Sequence, residues 1–339
     1  EAMASGADEA IAYDSLVAEG DPEDWPKVLS VQMRLSSAAM IATMTIGALV
    51  YDPSVVNKVL SWFGSDIALS QQDTMRFPIY LTLALALLAT ATAFAMREKA
   101  TSRTAGQGST TLAALRKTLD AITWLGKTPF ALAVILLGTG LDHVLRMIVT
   151  MTSQYYRLID LPEASFGLLG SAMAVLGLIT PKIAEWMVAK NSPAANMLWV
   201  SGIALLGLTG LTGFFPFWGL LPMALVFAAL MLTSFFTSHY LNRVTESHQR
   251  ATVLSFKGMA FNLAYGLIGF LFALLISSLR ESGLNRHPDW SQGAIGNFAF
   301  QTAIGWFPWY ALAGLALTIL FCLYRLRGSD EYQKINQAG

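Results

Sequence analysis

Long apolar runs separated by short polar segments dominate the chain. Runs long enough to cross the roughly 30 Å hydrocarbon core of a bilayer fall at about 28–51, 77–96, 129–151, 163–189, 195–215, 217–240, 251–278 and 303–325. The pattern therefore predicts an all-α polytopic membrane protein with eight transmembrane helices. Residues 1–27 are acidic and close on Pro22 and Pro26, so we predict that they form a cytosolic connector.

The third run differs from the others because charged residues stand near its midpoint. The stretch 128–156 is predicted to form one helix, and at 100° per residue its polar side chains gather within an arc of about 120°. The arc holds Thr139, Asp142, His143, Arg146, Thr150, Ser153 and Gln154. A charge at the bilayer centre costs roughly 2.5 to 3.5 kcal/mol, so such groups normally face a bundle interior or an aqueous cavity. The arc therefore predicts a solute pathway.

Two interpretations of the central pair remain open. Asp142 and Arg146 stand at i and i+4, where they can simply neutralise each other as a structural pair. Alternatively, they take part in solute binding and proton coupling, because protonation of Asp142 would free Arg146 to attract an anionic group. His143 would then relay the proton or act only as a hydrogen-bonding residue. The number of polar residues on the arc favours the pathway interpretation.

Small residues form faces on two later runs. The first face consists of Gly167, Gly170, Ser171, Ala174 and Gly177, and the second of Ser255, Gly258, Asn262, Gly266 and Gly269, with Tyr265 beside it. Such faces let another helix approach closely. Asn262 either lines the pathway or bonds to a neighbouring helix. The hydroxyls of Thr233, Ser234, Thr237 and Ser238 are expected to bond back to carbonyls of their own helix.

Composition and charge agree with a membrane protein and indicate an orientation. Of the 339 residues, 54% are hydrophobic and 13% charged, against about 25% charged in soluble domains. The net charge is zero, so nothing points to nucleic acid. The segments 1–34, 97–127, 182–193, 240–257 and 325–339 hold 16 basic residues, and the alternate segments hold 5. Both termini of the chain are therefore predicted to be cytosolic, in a plasma (inner) membrane.

The polar connections divide the chain into unequal parts. A basic linker at 97–127, with a predicted surface helix in its second half, separates two helices at 28–96 from six at 128–325. Residues 326–339 are predicted to form a cytosolic tail. The polar segment 281–301 predicts a long loop between the last two spans. Because the chain opens with an acidic segment and without Met, we expect it to be N-terminally incomplete.

Motifs for catalysis or cofactors are absent from the sequence. There is no HExxH, no GxSxG and no glycine-rich phosphate loop ending in GK[ST]. The four histidines are scattered over different segments, and Cys322 is the one cysteine. We therefore expect no enzyme, cofactor or metal site. A carrier of a small solute remains, with the proton as candidate coupling ion and the lipid bilayer as partner. The alternative is a non-transporting membrane receptor or scaffold.

Two segments and the helix count resemble the major facilitator superfamily of transporters. The segment 5–16, SGADEAIAYDSL, resembles the inner end of the family's fourth span, and 250–269, RATVLSFKGMAFNLAYGLIG, resembles the entry to its eleventh span. Gly177 matches the family's inner-loop motif and Lys182 keeps its basic character, whereas Pro181, Ala184 and Glu185 depart from it. The resemblance implies a six-helix bundle at 128–325. It also implies a pathway facing the arcs around Asp142 and Asn262, and alternating access.

Overall fold

The computed structural model describes residues 2–65, 67–95 and 123–326, and their regular structure is helical throughout. The α-helices are α1 Ala2–Glu19, α2 Trp25–Tyr51, α3 Pro53–Trp62, α4 Gln71–Thr74, α5 Phe77–Ala95, α6 Pro129–Thr150, α7 Thr152–Leu158, α8 Phe166–Lys190, α9 Pro193–Leu211, α10 Leu220–Val244, α11 Ser247–Arg286 and α12 Gln292–Leu326. Within the described ranges, eight helices are long and apolar enough to cross a membrane. The all-helical fold with eight such helices is thus as the sequence predicted.

Helix α6 lies at the centre of the fold and packs against α10, α11 and α12. Its aliphatic side is buried, with Val134, Val144, Leu145 and Ile148 each at most 4% exposed. Because this side is occupied by neighbouring helices, the polar side of α6 is held in a fixed direction.

The small-residue face of α8 packs against α2, as the sequence predicted. A Cβ added at Gly170 would lie 2.9 Å from the sulfur of Met44, and one added at Gly177 would collide with the hydroxyl of Ser37. The hydroxyls of Thr45 and Ser171 lie 3.4 Å apart across the same interface. Small residues therefore allow α2 and α8 to approach closely.

Several helix ends meet around α1, and we call this side of the bundle the α1 end. The rings of Tyr13 and Trp25 are in contact there, at 5.1 Å between centroids. Phe130, near the start of α6, lies 6.2 Å from the ring of Tyr240, near the end of α10. Helix α1 packs along α11, so the acidic segment that opens the chain is helical and docked on the bundle.

Helix α5 has little cover from the described part of the chain. It packs against α2, and Leu83, Leu87 and Phe94 are between 58% and 87% exposed. An apolar helix with exposed sides of this kind is suited to lipid contact. The assignment of 28–96 to a separate, incomplete half stays a prediction.

Three local predictions were wrong. The stretch 128–156 is not one helix, because α6 ends at Thr150 and Met151 separates it from α7. The segment 281–301 is not a long loop, because α11 and α12 extend into it and only five residues connect them. The extension is stabilised by packing of Ile295 against Gly283, where a Cβ would lie 3.4 Å from the Ile295 side chain.

The third error concerns two glycines of the second small-residue face. A Cβ added at Gly266 or at Gly269 would meet nothing within 4 Å. These two glycines therefore do not serve close helix packing within the described part of the chain. The predicted surface helix and the tail lie outside the described residues, apart from the helical turn 123–127.

Candidate functional site

The central charges of α6 meet a polar face of α11. Nη2 of Arg146 lies 2.6 Å from Oδ2 of Asp142, and Nη1 donates to Oδ1 of Asn262 at 2.9 Å. The guanidinium also stands over the ring of Tyr265, 5.4 Å from its centroid. Two arcs that the sequence predicted to face one pathway, on helices more than a hundred residues apart, therefore converge on one guanidinium.

Burial differs between the two charged partners. The side chain of Asp142 is 8% exposed, whereas that of Arg146 is 31% exposed. The carboxylate is thus enclosed by the bundle while the guanidinium remains accessible from one side. An anionic group that approached from that side would compete with the carboxylate for the guanidinium.

His143 has partners on both ring nitrogens. Nδ1 lies 2.6 Å from the carbonyl oxygen of Thr139, and Nε2 lies 2.9 Å from the hydroxyl of Tyr310 on α12. A carbonyl only accepts, so Nδ1 carries the proton. In a neutral ring Nε2 then accepts from Tyr310. The histidine therefore ties α6 to α12, and its role as a proton relay stays a prediction.

The remaining residues of the predicted arc do not join this cluster. The hydroxyl of Thr150 donates to the carbonyl of Met147 at 2.8 Å. Gln154 lies beyond the helix break, where its Nε2 lies 3.4 Å from Oδ1 of Asn297. The hydroxyl of Thr139 is buried and has no hydrogen-bond partner among the described residues. The cluster around Arg146 therefore includes fewer residues than the predicted polar arc.

A second group of charged residues, which the sequence analysis did not single out, joins α1 to α10 and α11. Oε2 of Glu9 lies 3.0 Å from Nζ of Lys257, and Oε1 accepts from Asn242 at 2.6 Å and from the hydroxyl of Ser238. A lysine within an apolar run was the available signal, because such residues normally have a function or a partner. Its partner was not predictable from spacing.

One turn further along α1, a second ion pair strengthens the same contact. Asp14 pairs with Arg250, which is 5% exposed, and Arg250 also donates to the carbonyl of Thr245 at 2.5 Å. The guanidinium stands 4.3 Å from the ring centroid of Tyr13. Burial raises the pKa of the Tyr13 hydroxyl. Both acidic residues thus hold α1 on the bundle.

A polar cavity of about 480 Å³ lies between α1, α2, α10 and α11. Its lining includes Gln32, Ser36, Ser37 and Ser234, together with the Glu9–Lys257 pair. It does not include Asp142 or Arg146. The charge cluster therefore does not line this cavity.

The hydroxyls of α10 behave in two ways. Thr233 and Thr237 donate to the carbonyls four residues earlier, at 2.7 Å in each case, as predicted. Ser238 instead donates to Glu9, so the prediction was wrong for this residue. Among the described residues, no group of three or more His, Cys, Asp or Glu is placed to hold a metal ion.

Comparison with known proteins adds no assignment. No family model, no curated protein and no solved structure matches the chain.

Proposed function

We propose that the protein is a secondary-active transporter of a small solute, coupled to protons and working by alternating access in the manner of the major facilitator superfamily. The observation that carries the proposal is the convergence of Asp142, Arg146, Asn262 and Tyr265 between α6 and α11. A charged residue deep in an apolar helix is costly and is normally retained for a function. A purely structural pair would not need the amide and the aromatic ring.

The arrangement supports a specific division of roles. Asp142 is the proton-binding group, and Arg146 is the group that attracts a negatively charged part of the solute. When Asp142 is protonated, the ion pair is lost and the guanidinium, 31% exposed, becomes available to an anion. Binding of proton and solute would thereby favour each other, which is the requirement for coupled transport.

Alternating access also needs contacts that form in one state and break in another. The ion pairs Glu9–Lys257 and Asp14–Arg250 connect α1 to α11 at the α1 end. They support a state in which this end is closed, and their separation would open the cavity of about 480 Å³ between α1, α2, α10 and α11. The solute would then pass along this cavity to the charge cluster.

Transport is tested with the full-length protein in proteoliposomes. A panel of small metabolites is offered with and without an imposed pH gradient, and solute accumulation is measured. We expect gradient-driven accumulation in the wild type. Asp142→Asn should abolish it while solute exchange persists, because the pair no longer binds a proton. Arg157→Gln, whose exposed pair with Glu163 lies away from the cluster, serves as the matched control.

The alternative function is a membrane receptor or scaffold, for which no flux is expected. Absence of flux for every solute, from protein that elutes as a folded species, would support that alternative. Unchanged pH dependence in Asp142→Asn, with transport retained, would instead leave transport standing and assign the pair a structural role.

A further inference from the structure

An apolar cavity, separate from the polar one, opens between α6, α9 and α12 at the α1 end. Its volume is about 210 Å³, which exceeds the engineered cavity of about 150 Å³ that stays dry and takes up benzene. Phe130 and Met197 form part of its deep wall and are buried. Leu198 and Leu323, which are 59% and 56% exposed, lie at its mouth. The cavity therefore opens on the apolar surface of the bundle.

The polar atoms on the wall of this cavity are already bonded. The hydroxyl of Ser201 donates to the carbonyl of Met197 at 2.8 Å, and that of Tyr240 accepts from Nδ2 of Asn196 at 2.8 Å. A stable water in a cavity needs two to four polar partners. The wall thus favours a hydrocarbon group over water or a hydrophilic ligand.

Basic residues lie at the helix ends next to the mouth. Lys127 precedes α6, Lys190 ends α8 three positions before α9 begins, and Arg325 lies near the end of α12. Nη2 of Arg325 donates to the carbonyl of Gly126 at 2.7 Å, which places the guanidinium beside Lys127. All three basic side chains belong to exposed residues. Each lies two or three positions along the chain from a residue of the cavity lining, namely Phe130, Pro193 or Leu323, and Nζ of Lys190 stands 5.3 Å from the ring centroid of Trp186. We call these three basic residues the rim of the cavity.

We propose that this cavity binds one acyl chain of an anionic phospholipid, whose phosphate lies among Lys127, Lys190 and Arg325. The two halves of such a lipid match the two halves of the site: the hydrocarbon fills the dry space and the phosphate pairs with the rim. The occupant is a bilayer lipid rather than a free anion, because a free phosphate would leave the cavity empty. The site is independent of the transport proposal.

The test uses photo-crosslinking lipids in vesicles of phosphatidylcholine. A small amount of phosphatidylglycerol or of phosphatidylcholine, each with a diazirine in its acyl chain, is added to vesicles containing the protein. After illumination, adducts are mapped by peptide mass spectrometry. We expect the phosphatidylglycerol probe to label cavity-wall peptides around Phe130 and Cys322 roughly tenfold more than the phosphatidylcholine probe. Labelling around the exposed Leu263 of α11 should be equal for the two probes.

Two variants separate the headgroup from the acyl-chain contribution. Lys127→Gln with Lys190→Gln should reduce phosphatidylglycerol labelling of the cavity to the phosphatidylcholine level, whereas Lys58→Gln, an exposed lysine on α3, should leave it unchanged. Ala194→Trp fills the cavity and should remove cavity labelling by both probes. Equal labelling of the cavity by the two probes in the wild type, or labelling unaffected by the double lysine variant, would overturn the proposal.

Discussion

Arg146 donates to Asn262 across the contact between α6 and α11, with 2.9 Å between Nη1 and Oδ1. The same guanidinium uses its other terminal nitrogen for Asp142. One planar group therefore holds a carboxylate on its own helix and an amide on a neighbouring helix. A lysine at this position would reach only one of them, because an ammonium lacks the fork geometry.

The first prediction concerns the stability of this pair. Arg146→Met leaves the nearly buried carboxylate of Asp142 without its ion-pair partner, so we expect a loss of about 1 to 3 kcal/mol in unfolding free energy. Asp142→Asn with Arg146→Met should cost less than Arg146→Met alone, because no charge remains buried. Denaturant unfolding followed by tryptophan fluorescence measures both changes.

The control for these variants is an exposed ion pair whose nitrogen and oxygen are as close as those of Asp142 and Arg146. Arg157 and Glu163 lie 2.6 Å apart, with side chains 50% and 70% exposed. Arg157→Met should change stability by less than about 1 kcal/mol, because exposed pairs contribute little. Equal losses in Arg146→Met and Arg157→Met would show that burial does not strengthen the central pair.

The second prediction concerns the α2–α8 interface. Gly177→Val places a side chain where the hydroxyl of Ser37 stands, so α2 must move away from α8. We expect a loss of about 1 to 3 kcal/mol, the usual cost of overpacking. In contrast, Gly266→Ala adds a methyl group with nothing within 4 Å and should be neutral or stabilising by up to about 1 kcal/mol.

A second substitution should restore part of the stability that Gly177→Val loses. Ser37→Gly removes the group with which the new side chain collides, and in combination with Gly177→Val it should recover part of the lost stability. The comparison is made by thermal unfolding in one detergent for all four proteins. No recovery in the combined variant would mean that the loss has another origin than the collision.

The third prediction concerns the docking of α1. Glu9→Gln removes the negative charge facing Lys257, whose side chain is 17% exposed, so the contact between α1 and α11 should weaken. Hydrogen exchange of the amides in 2–19 should accelerate by about tenfold or more, as expected for the loss of a contact worth about 1.5 kcal/mol or more. Asp8→Asn, at an exposed position of the same helix, should leave these rates unchanged.

The fourth prediction concerns the tautomer of His143. Its Nδ1 faces a carbonyl, so Nδ1 should carry the proton in the neutral ring, and Nε2 should accept from Tyr310. Nitrogen NMR of labelled histidine should show this tautomer. Tyr310→Phe should shift the Nε2 resonance while the Nδ1 proton stays in place. A proton on Nε2 in the wild type would contradict the assignment.

The sequence was sufficient for several features that lie on a single helix. The polar arc of α6, the small residues of α8 and the back-bonding of Thr233 and Thr237 each depend on residues three or four positions apart. That spacing fixes which side chains share a face. That the arcs around Asp142 and Asn262 face each other was expected only from the family resemblance, and in the structure Arg146 connects them.

Features that depend on contacts between distant segments could not be predicted in this way. The break after Thr150 has no proline or glycine beside it in the sequence, and the short helix that follows it contains the buried Tyr155 and Tyr156. Segment 281–301 contains Gly283 and Pro288, which are typical of loops, yet contacts between α11 and α12 extend both helices into it. The partner of Lys257 lies 248 positions away.

The pairing of α1 with α11 also has a consequence for the order of synthesis. Asp14 emerges from the ribosome 236 residues before Arg250, which at roughly 5 to 20 residues per second corresponds to about 12 to 47 s. Throughout that interval the carboxylates of α1 have no guanidinium or ammonium from α11 to meet, and water must solvate them. Helix α1 can therefore dock on α11 only after the candidate spans that lie between them in the described ranges have been made.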